Sequence, residues 1–261
     1  MRKLLLLKGS FLFSSTTVIP QTRFAVPERN FLICMPNPQH IIMPASYFLF
    51  IFLAYLAGSI PTSVWVGKIF FNQDIRQLGS RNAGATNTIR VFGWTAGVPV
   101  LIFDVFKGWF AVYLAHLSHL YNPGTAPFVT FQIFLGVAAA LGHIFPAFAG
   151  FRGGKGVATL LGVALGINAG ATLMSVVIFF LTLLLSNYVS LSSVLAGITY
   201  PISVILIYRN HIVSLSVFSV LIAIMLVITH RKNLGRIMRG EESKASSLIK
   251  RRKNPPEKKP E

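Results

Sequence analysis

From Ser46 onward the chain alternates between long apolar runs and short polar segments. Apolar runs of roughly 17–25 residues can cross about 30 Å of hydrocarbon as helices. The pattern predicts such spans over Ser46 to about Phe71, Trp94 to about Leu117, and Phe128 to about Phe148. The apolar region from Val157 to Leu185 is too long for one span and is interrupted at Asn168-Ala169-Gly170. It reads as two helices, the first unusually short. Two further spans run from about Val189 to Tyr208 and from Ile212 to Ile228. The expected fold is therefore all-α, a polytopic integral membrane protein with about seven transmembrane helices. The number falls to five or six if the short segment does not cross.

Composition supports this class. Charged residues are 12% and hydrophobic residues 53% of the 261, against about 25% charged in a soluble domain. Only seven residues are acidic, too few for a soluble surface. The net charge of +17 would suit a nucleic-acid binder, but its distribution does not. Eleven of the 24 Lys and Arg follow His230, and most others flank the apolar runs, as in membrane proteins. We expect a bilayer environment and no nucleic-acid partner. Arg76, Arg81 and Arg90 follow the first span, Arg152 and Lys155 the third, and Arg231, Lys232, Arg236 and Arg239 the last. Short basic loops mark the cytosolic side. Seven spans with the N-terminus outside and the C-terminus cytosolic put all three segments there. The single Cys34 excludes an intrachain disulfide and a Cys-based zinc cluster.

Three regions follow from this pattern: an extension at 1–42, a transmembrane unit at 43–229, and a cytosolic motif with a basic tail at 230–261. Residues 1–42 carry five Lys and Arg on the side expected outside. Translation from Met43 or Met35 resolves the conflict; a targeting segment or a working extension are the alternatives. The tail from Lys244 to Glu261 is basic and Pro-containing and reads as disordered, resting on anionic lipid. There is no internal repeat.

Polar residues in so apolar a chain are candidates for function. They gather in four segments on the expected cytosolic side. Gly58 to Ser63, late in the first span, holds small and hydroxyl residues and reads equally as a kink for close packing. Gly79 to Arg90 includes Ser80, Arg81, Asn82, Thr86, Asn87, Thr88 and Arg90 among glycines. Such a segment offers converging N–H groups, hydroxyls, amides and forked cations to an anion. Gly142-His143 to Thr159 contains Gly153-Gly154-Lys155-Gly156 at a helix start, where free N–H groups and the dipole favour anions. It lacks the P-loop pattern, so ATP hydrolysis is not expected. The fourth, His230 to Glu241, places His230 and Asn233 on one helix face. Ser190 and Ser193 enter the sixth span on the same side, either as donors to a ligand or merely bonded to backbone carbonyls. Asp104 and Lys107, at i and i+3 inside the second span, read as an ion pair with a structural role.

No catalytic Cys, Ser-His-Asp order or metal-ligand cluster stands out, and no cofactor is expected. Sites built from cations and N–H donors work by positioning and charge stabilisation, and phosphate is then a natural leaving group.

From about Ser46 to Glu241 the chain resembles the acyl-phosphate:glycerol-3-phosphate acyltransferases of bacteria, the PlsY family. Three blocks carry the resemblance: Gly58–Ser63 with Gly79–Arg90, Gly142–Thr159, and His230–Glu241. Asp104-x-x-Lys107-Gly108 and Ser190–Ser193 also match. The resemblance implies a seven-helix enzyme of the bacterial plasma membrane with its site facing the cytosol. Such an enzyme moves a fatty acyl group from acyl phosphate to the 1-hydroxyl of sn-glycerol 3-phosphate. Carried over residue by residue, Arg90, Lys155, His230 and Asn233 hold glycerol 3-phosphate. Ser80, Thr86, Ser193 and the N–H groups of Gly153, Gly154 and Lys155 cradle acyl phosphate. Asn82, Asn87, His143, Ser190 and Glu241 join Asp104 and Lys107 in support. The general base is a substrate phosphate, and the enzyme is expected to act as a monomer. The rival readings are an organic-phosphate transporter and a membrane scaffold with a basic tail.

Overall fold

The computed structural model describes residues 45–246, which are helical with no strand among them. The start-site reading for 1–42 and the tail beyond Ser246 lie outside the described residues. The helices are α1 (Ala45–Gly58), α2 (Thr62–Phe71), α3 (Ala85–Phe92), α4 (Trp94–Ser118), α5 (Ala126–Ile144), α6 (Val157–Ile167), α7 (Ala169–Ser186), α8 (Val189–Ile202) and α9 (Val213–Met238). Among the described residues six stretches are long and apolar enough to cross a membrane: Ala45–Phe71, Trp94–Ser118, Ala126–Ala149, Ala169–Ser186, Val189–Ile207 and Val213–Met238. Their outer faces are apolar, with Leu184 82% and Leu185 86% exposed, as contact with lipid requires.

The short first half of the fourth apolar region is α6, eleven residues and about 16 Å long. The break after it is the expected one, because the Asn168 side chain caps α7 by accepting from the Ala171 N–H. The head of α6 meets the end of α9, whereas Gly170, just past the break, packs on Tyr208 at the end of the α8 stretch. α6 tolerates its shortness because it lies against α4 backbone to backbone. A Cβ on Gly108 would meet the Thr159 carbonyl, and one on Gly162 the Val105 carbonyl. Small residues in such positions let membrane helices approach closely.

The first span, Ala45–Phe71, carries the kink that Gly58 to Ser63 allows: it is two helices, broken where Pro61 supplies no N–H to continue α1. One element differs from the sequence expectation. The last helix runs ten residues beyond Ile228, so His230 to Met238 are its final turns rather than a separate cytosolic segment. After α9 the chain turns at Gly240 (φ +71°) and comes back. The Ala245 N–H donates to the Asn187 carbonyl, and the Asn187 side chain bonds both the hydroxyl and the N–H of Ser246. Lys244 to Ser246, expected as the start of a disordered tail, are thus strapped to the α7–α8 turn.

Candidate active site at the head of helix six

The polar segments meet at one end of the bundle. Below them lies a buried group made by α4. Asp104 and Lys107 pair at 2.8 Å with side chains 2% and 3% exposed. Lys107 also donates to the Ile60 carbonyl at the α1–α2 break, and the Thr62 hydroxyl donates to Asp104. His143, at the end of α5, points Nδ1 toward Asp104 at 3.7 Å. Each charge is met by an opposite charge and a further polar contact, the condition for keeping ions in an apolar interior.

The loop after α2 is held by side chains onto backbone. Asn87 accepts from the Ser80 N–H and donates to the Ile75 and Leu78 carbonyls, while only 1% exposed. It folds the loop over the first turn of α3, where Thr86 sits, and receives a bond from Arg90. Asp74 and Arg76 form a 2.7 Å pair, and Arg76 reaches over to the Ala149 and Arg152 carbonyls, tying this loop to the one after α5. The Arg76 hydrogen bond is the main reason the Asp74 carboxyl is held down at about 2.

Gly154 completes the junction. A Cβ there would run into the Ala83 carbonyl and the His143 ring, so only glycine lets the two loops close on each other. Gly156 then caps α6 with φ +79°, a left-handed geometry suited to glycine. The first helical bond of α6 runs from the Leu160 N–H to the Gly156 carbonyl, and no side chain caps this end. The N–H groups of Val157, Ala158 and Thr159 therefore have no intrahelical acceptor, and the helix dipole points its positive end outward.

Lys155 leans across this end and donates to the Asn233 side-chain oxygen. Asn233 in turn donates to Glu242 at 2.7 Å, which also accepts from Ser190 at 3.1 Å and Arg236 at 2.6 Å. Burial pushes the Lys155 ammonium down to about 8; Glu242 opposes this, and the fields of Arg236 and Arg90 add to it. Burial raises the Glu242 carboxyl, but the bonds from Asn233 and Arg236 outweigh it and leave a net lowering. His230, 4% exposed, shares the α9 face, with Nδ1 2.9 Å from the Leu226 carbonyl. A carbonyl only accepts, so Nδ1 carries the hydrogen and a neutral ring presents Nε2 as an acceptor.

Most of the expected residues assemble: Lys155, His230, Asn233, Arg90 and Ser190 share this region, with Asp104, Lys107 and His143 beneath. Three expected contacts stand differently in this structure. The N–H groups of Gly153 and Gly154 donate to the Ile144 and His143 carbonyls, closing the end of α5. Glu241 pairs with Arg239 in an exposed contact; the residue that enters the site is Glu242. The Ser193 hydroxyl is turned back to the Val189 carbonyl of its own helix, so of the two serines it is Ser190 that reaches the cluster. Ser80 lies exposed on the loop, Asn82 and Thr86 half-buried beside it. Sequence reading passed over Glu242, Arg236, Asn187 and Arg76 as site-forming groups. Only the Arg236–Glu242 spacing around a glycine hinted at a folded-back pair.

Comparison with known proteins identifies the family. The family model described as "Glycerol-3-phosphate acyltransferase" matches residues 48–240. The glycerol-3-phosphate acyltransferase of Staphylococcus carnosus (strain TM300) is 47% identical over 197 residues, 75% of this chain and 96% of that protein. The one from Staphylococcus aureus (strain Newman) is 44% identical over 193 residues, covering 74% and 94%. Among solved structures, PlsY (YgiH), an integral membrane glycerol 3-phosphate acyltransferase, superposes in its glycerol 3-phosphate form with a TM-score of 0.69 at 32% identity, covering 76% of this chain and 95% of that one. Its lysophosphatidic acid form gives 0.66 at 30% identity, covering 78% and 98%. Helical architecture, motif residues and relatives converge, and this chain belongs to the glycerol-3-phosphate acyltransferase family of integral membrane enzymes.

Proposed function

We propose that the chain transfers a fatty acyl group from acyl phosphate to the 1-hydroxyl of sn-glycerol 3-phosphate, releasing lysophosphatidic acid and inorganic phosphate. The observation that carries this reading is the reach of Lys155, from the uncapped head of α6, to Asn233 on α9, with Arg90 and Arg236 close enough to act on its charge. Cations and free N–H groups converge there from separate segments, as two phosphate-bearing substrates require.

In this reading Arg90, Lys155, His230 and Asn233 hold glycerol 3-phosphate, and Ser80, Thr86 and the head of α6 hold acyl phosphate. The 1-hydroxyl oxygen attacks the acyl carbonyl carbon, and the bond from that carbon to the phosphate oxygen breaks. A non-bridging substrate phosphate oxygen, whose second pKa lies near 6, takes up the hydroxyl proton, and the phosphate leaves with the electron pair as hydrogen phosphate. Lys155 and the α6 dipole stabilise the charge that builds on the leaving oxygen. His230 Nε2 accepts from the substrate hydroxyl and orients it. The acyl chain lies between helices, open to the bilayer. The protein works as a monomer in a bacterial plasma membrane, with this end of the bundle facing the cytosol and residues 1–42 outside the catalytic unit.

Phosphate release by the purified protein in detergent, with palmitoyl phosphate and glycerol 3-phosphate, tests the reading. Release is expected to need both substrates and to fall at least a hundredfold in Lys155→Ala. Folded protein that releases no phosphate, or that uses acyl-CoA instead, would refute it.

A further inference from the structure

The flank of α9 that faces away from His230 holds a second cationic feature. Arg231, Lys232, Arg236 and Arg239 line an open groove of about 370 Å3 with Gly235 among them. Residues three and four apart are neighbours on a helix surface, so Arg231, Lys232 and Arg239 surround the one position without a side chain. Arg236 is paired with Glu242, and Arg239 with Glu241 in an exposed contact of little strength. Arg231 and Lys232 have no acidic partner among the described residues.

The position of the groove along α9 identifies its occupant. The helix has 26 residues and is about 39 Å long, against about 30 Å of hydrocarbon. Its apolar run ends at Ile228, so the groove stands at headgroup depth. Val217, Leu221, Ile224 and Ile228 are each at least 50% exposed. At about 100° per residue they lie on the same flank as Gly235. A lipid lying along that apolar stripe brings its phosphate to the glycine notch.

We propose that this groove binds the headgroup of an anionic phospholipid whose chains lie along the lipid-facing stripe of α9. A free phosphate or an acidic protein segment would satisfy the charge but not the apolar stripe. The lipid compensates the like charges on the last turns of α9, the turns that also carry His230 and Asn233.

The full chain in zwitterionic micelles, titrated with dioleoyl phosphatidylglycerol and monitored by native mass spectrometry and thermal unfolding, provides the test. The wild type is expected to retain this lipid and unfold at higher temperature. Arg231→Gln with Lys232→Gln should weaken retention on the order of tenfold. Gly235→Leu fills the notch without changing charge, favours the helix, and should weaken retention too. Phosphatidylcholine should not distinguish wild type from variants, and the variants' turnover in zwitterionic micelles should match wild type, showing an intact fold. Equal phosphatidylglycerol retention by all three proteins overturns the proposal. So does an equal stabilisation by inorganic phosphate at the same concentration, or displacement of the lipid by equimolar hexaglutamate. Binding is read without catalysis, so the outcome stands apart from the identity of the acyl donor.

Discussion

The Lys155 ammonium and the Asn233 side-chain oxygen are hydrogen-bonded although 78 positions separate them in the chain. The contact brings the head of α6 to the inner face of α9 and fixes where the site's cations stand. Asn233 is held from the other side by Glu242, so its amide cannot rotate without losing a bond to a charged group.

Lys155 is expected to set an alkaline limit on activity. Its folded pKa is lowered to about 8, so the cation is present below that pH and is lost as pH rises through it. The apparent second-order rate constant, kcat/KM for glycerol 3-phosphate, is expected to fall about tenfold per unit well above pH 8. Lys155→Arg keeps its charge to pH 12 or higher and should abolish that limb while lowering the plateau. A limb unchanged in Lys155→Arg would assign it to another group.

Glu242 and Glu241 should behave oppositely. Glu242→Ala strands Asn233, Ser190 and Arg236, and a cost of about 2–3 kcal/mol is expected, seen as a lower unfolding temperature. Glu241→Ala removes only an exposed pair and should change stability by less than about 0.5 kcal/mol. Thermal unfolding of the two variants in the same micelles decides between them.

Asn187 positions the strap that carries Glu242. Asn187→Gly keeps the left-handed backbone (φ +63°) and the carbonyl that accepts from Ala245, but deletes both side-chain bonds to Ser246. KM for glycerol 3-phosphate is expected to rise severalfold with kcat within about twofold, because binding geometry rather than chemistry is loosened. Asn187→Ala adds backbone strain of about 1 kcal/mol and should lower the unfolding temperature as well.

The Asp104–Lys107 pair predicts strong non-additivity. Either Asp104→Asn or Lys107→Met leaves a buried charge unpaired and should cost about 3–5 kcal/mol. The double variant removes both charges and should recover most of that loss. A double-mutant cycle by thermal unfolding measures the coupling; additive losses would show that the two charges do not depend on each other.

The sequence by itself determined much of this protein. Lipid solvates apolar side chains and forbids unsatisfied backbone, so run length alone marked the six long apolar stretches and the break at Asn168 that sets the short α6 apart. Asp104 and Lys107 had to meet, because neither charge is tolerable alone at that depth. Glycines, hydroxyls and cations marked the polar segments that the fold brings together at one end of the bundle. Tertiary structure decided which groups those segments offer. Gly153 and Gly154 are spent closing α5, because a carbonyl freed at a helix end takes the nearest N–H. Glu242 rather than Glu241 enters the site, because the turn at Gly240 and the strap at Asn187 aim one carboxylate inward and its neighbour out. Adjacent residues of one type carry the same information in a sequence; only the backbone direction at each Cα tells them apart.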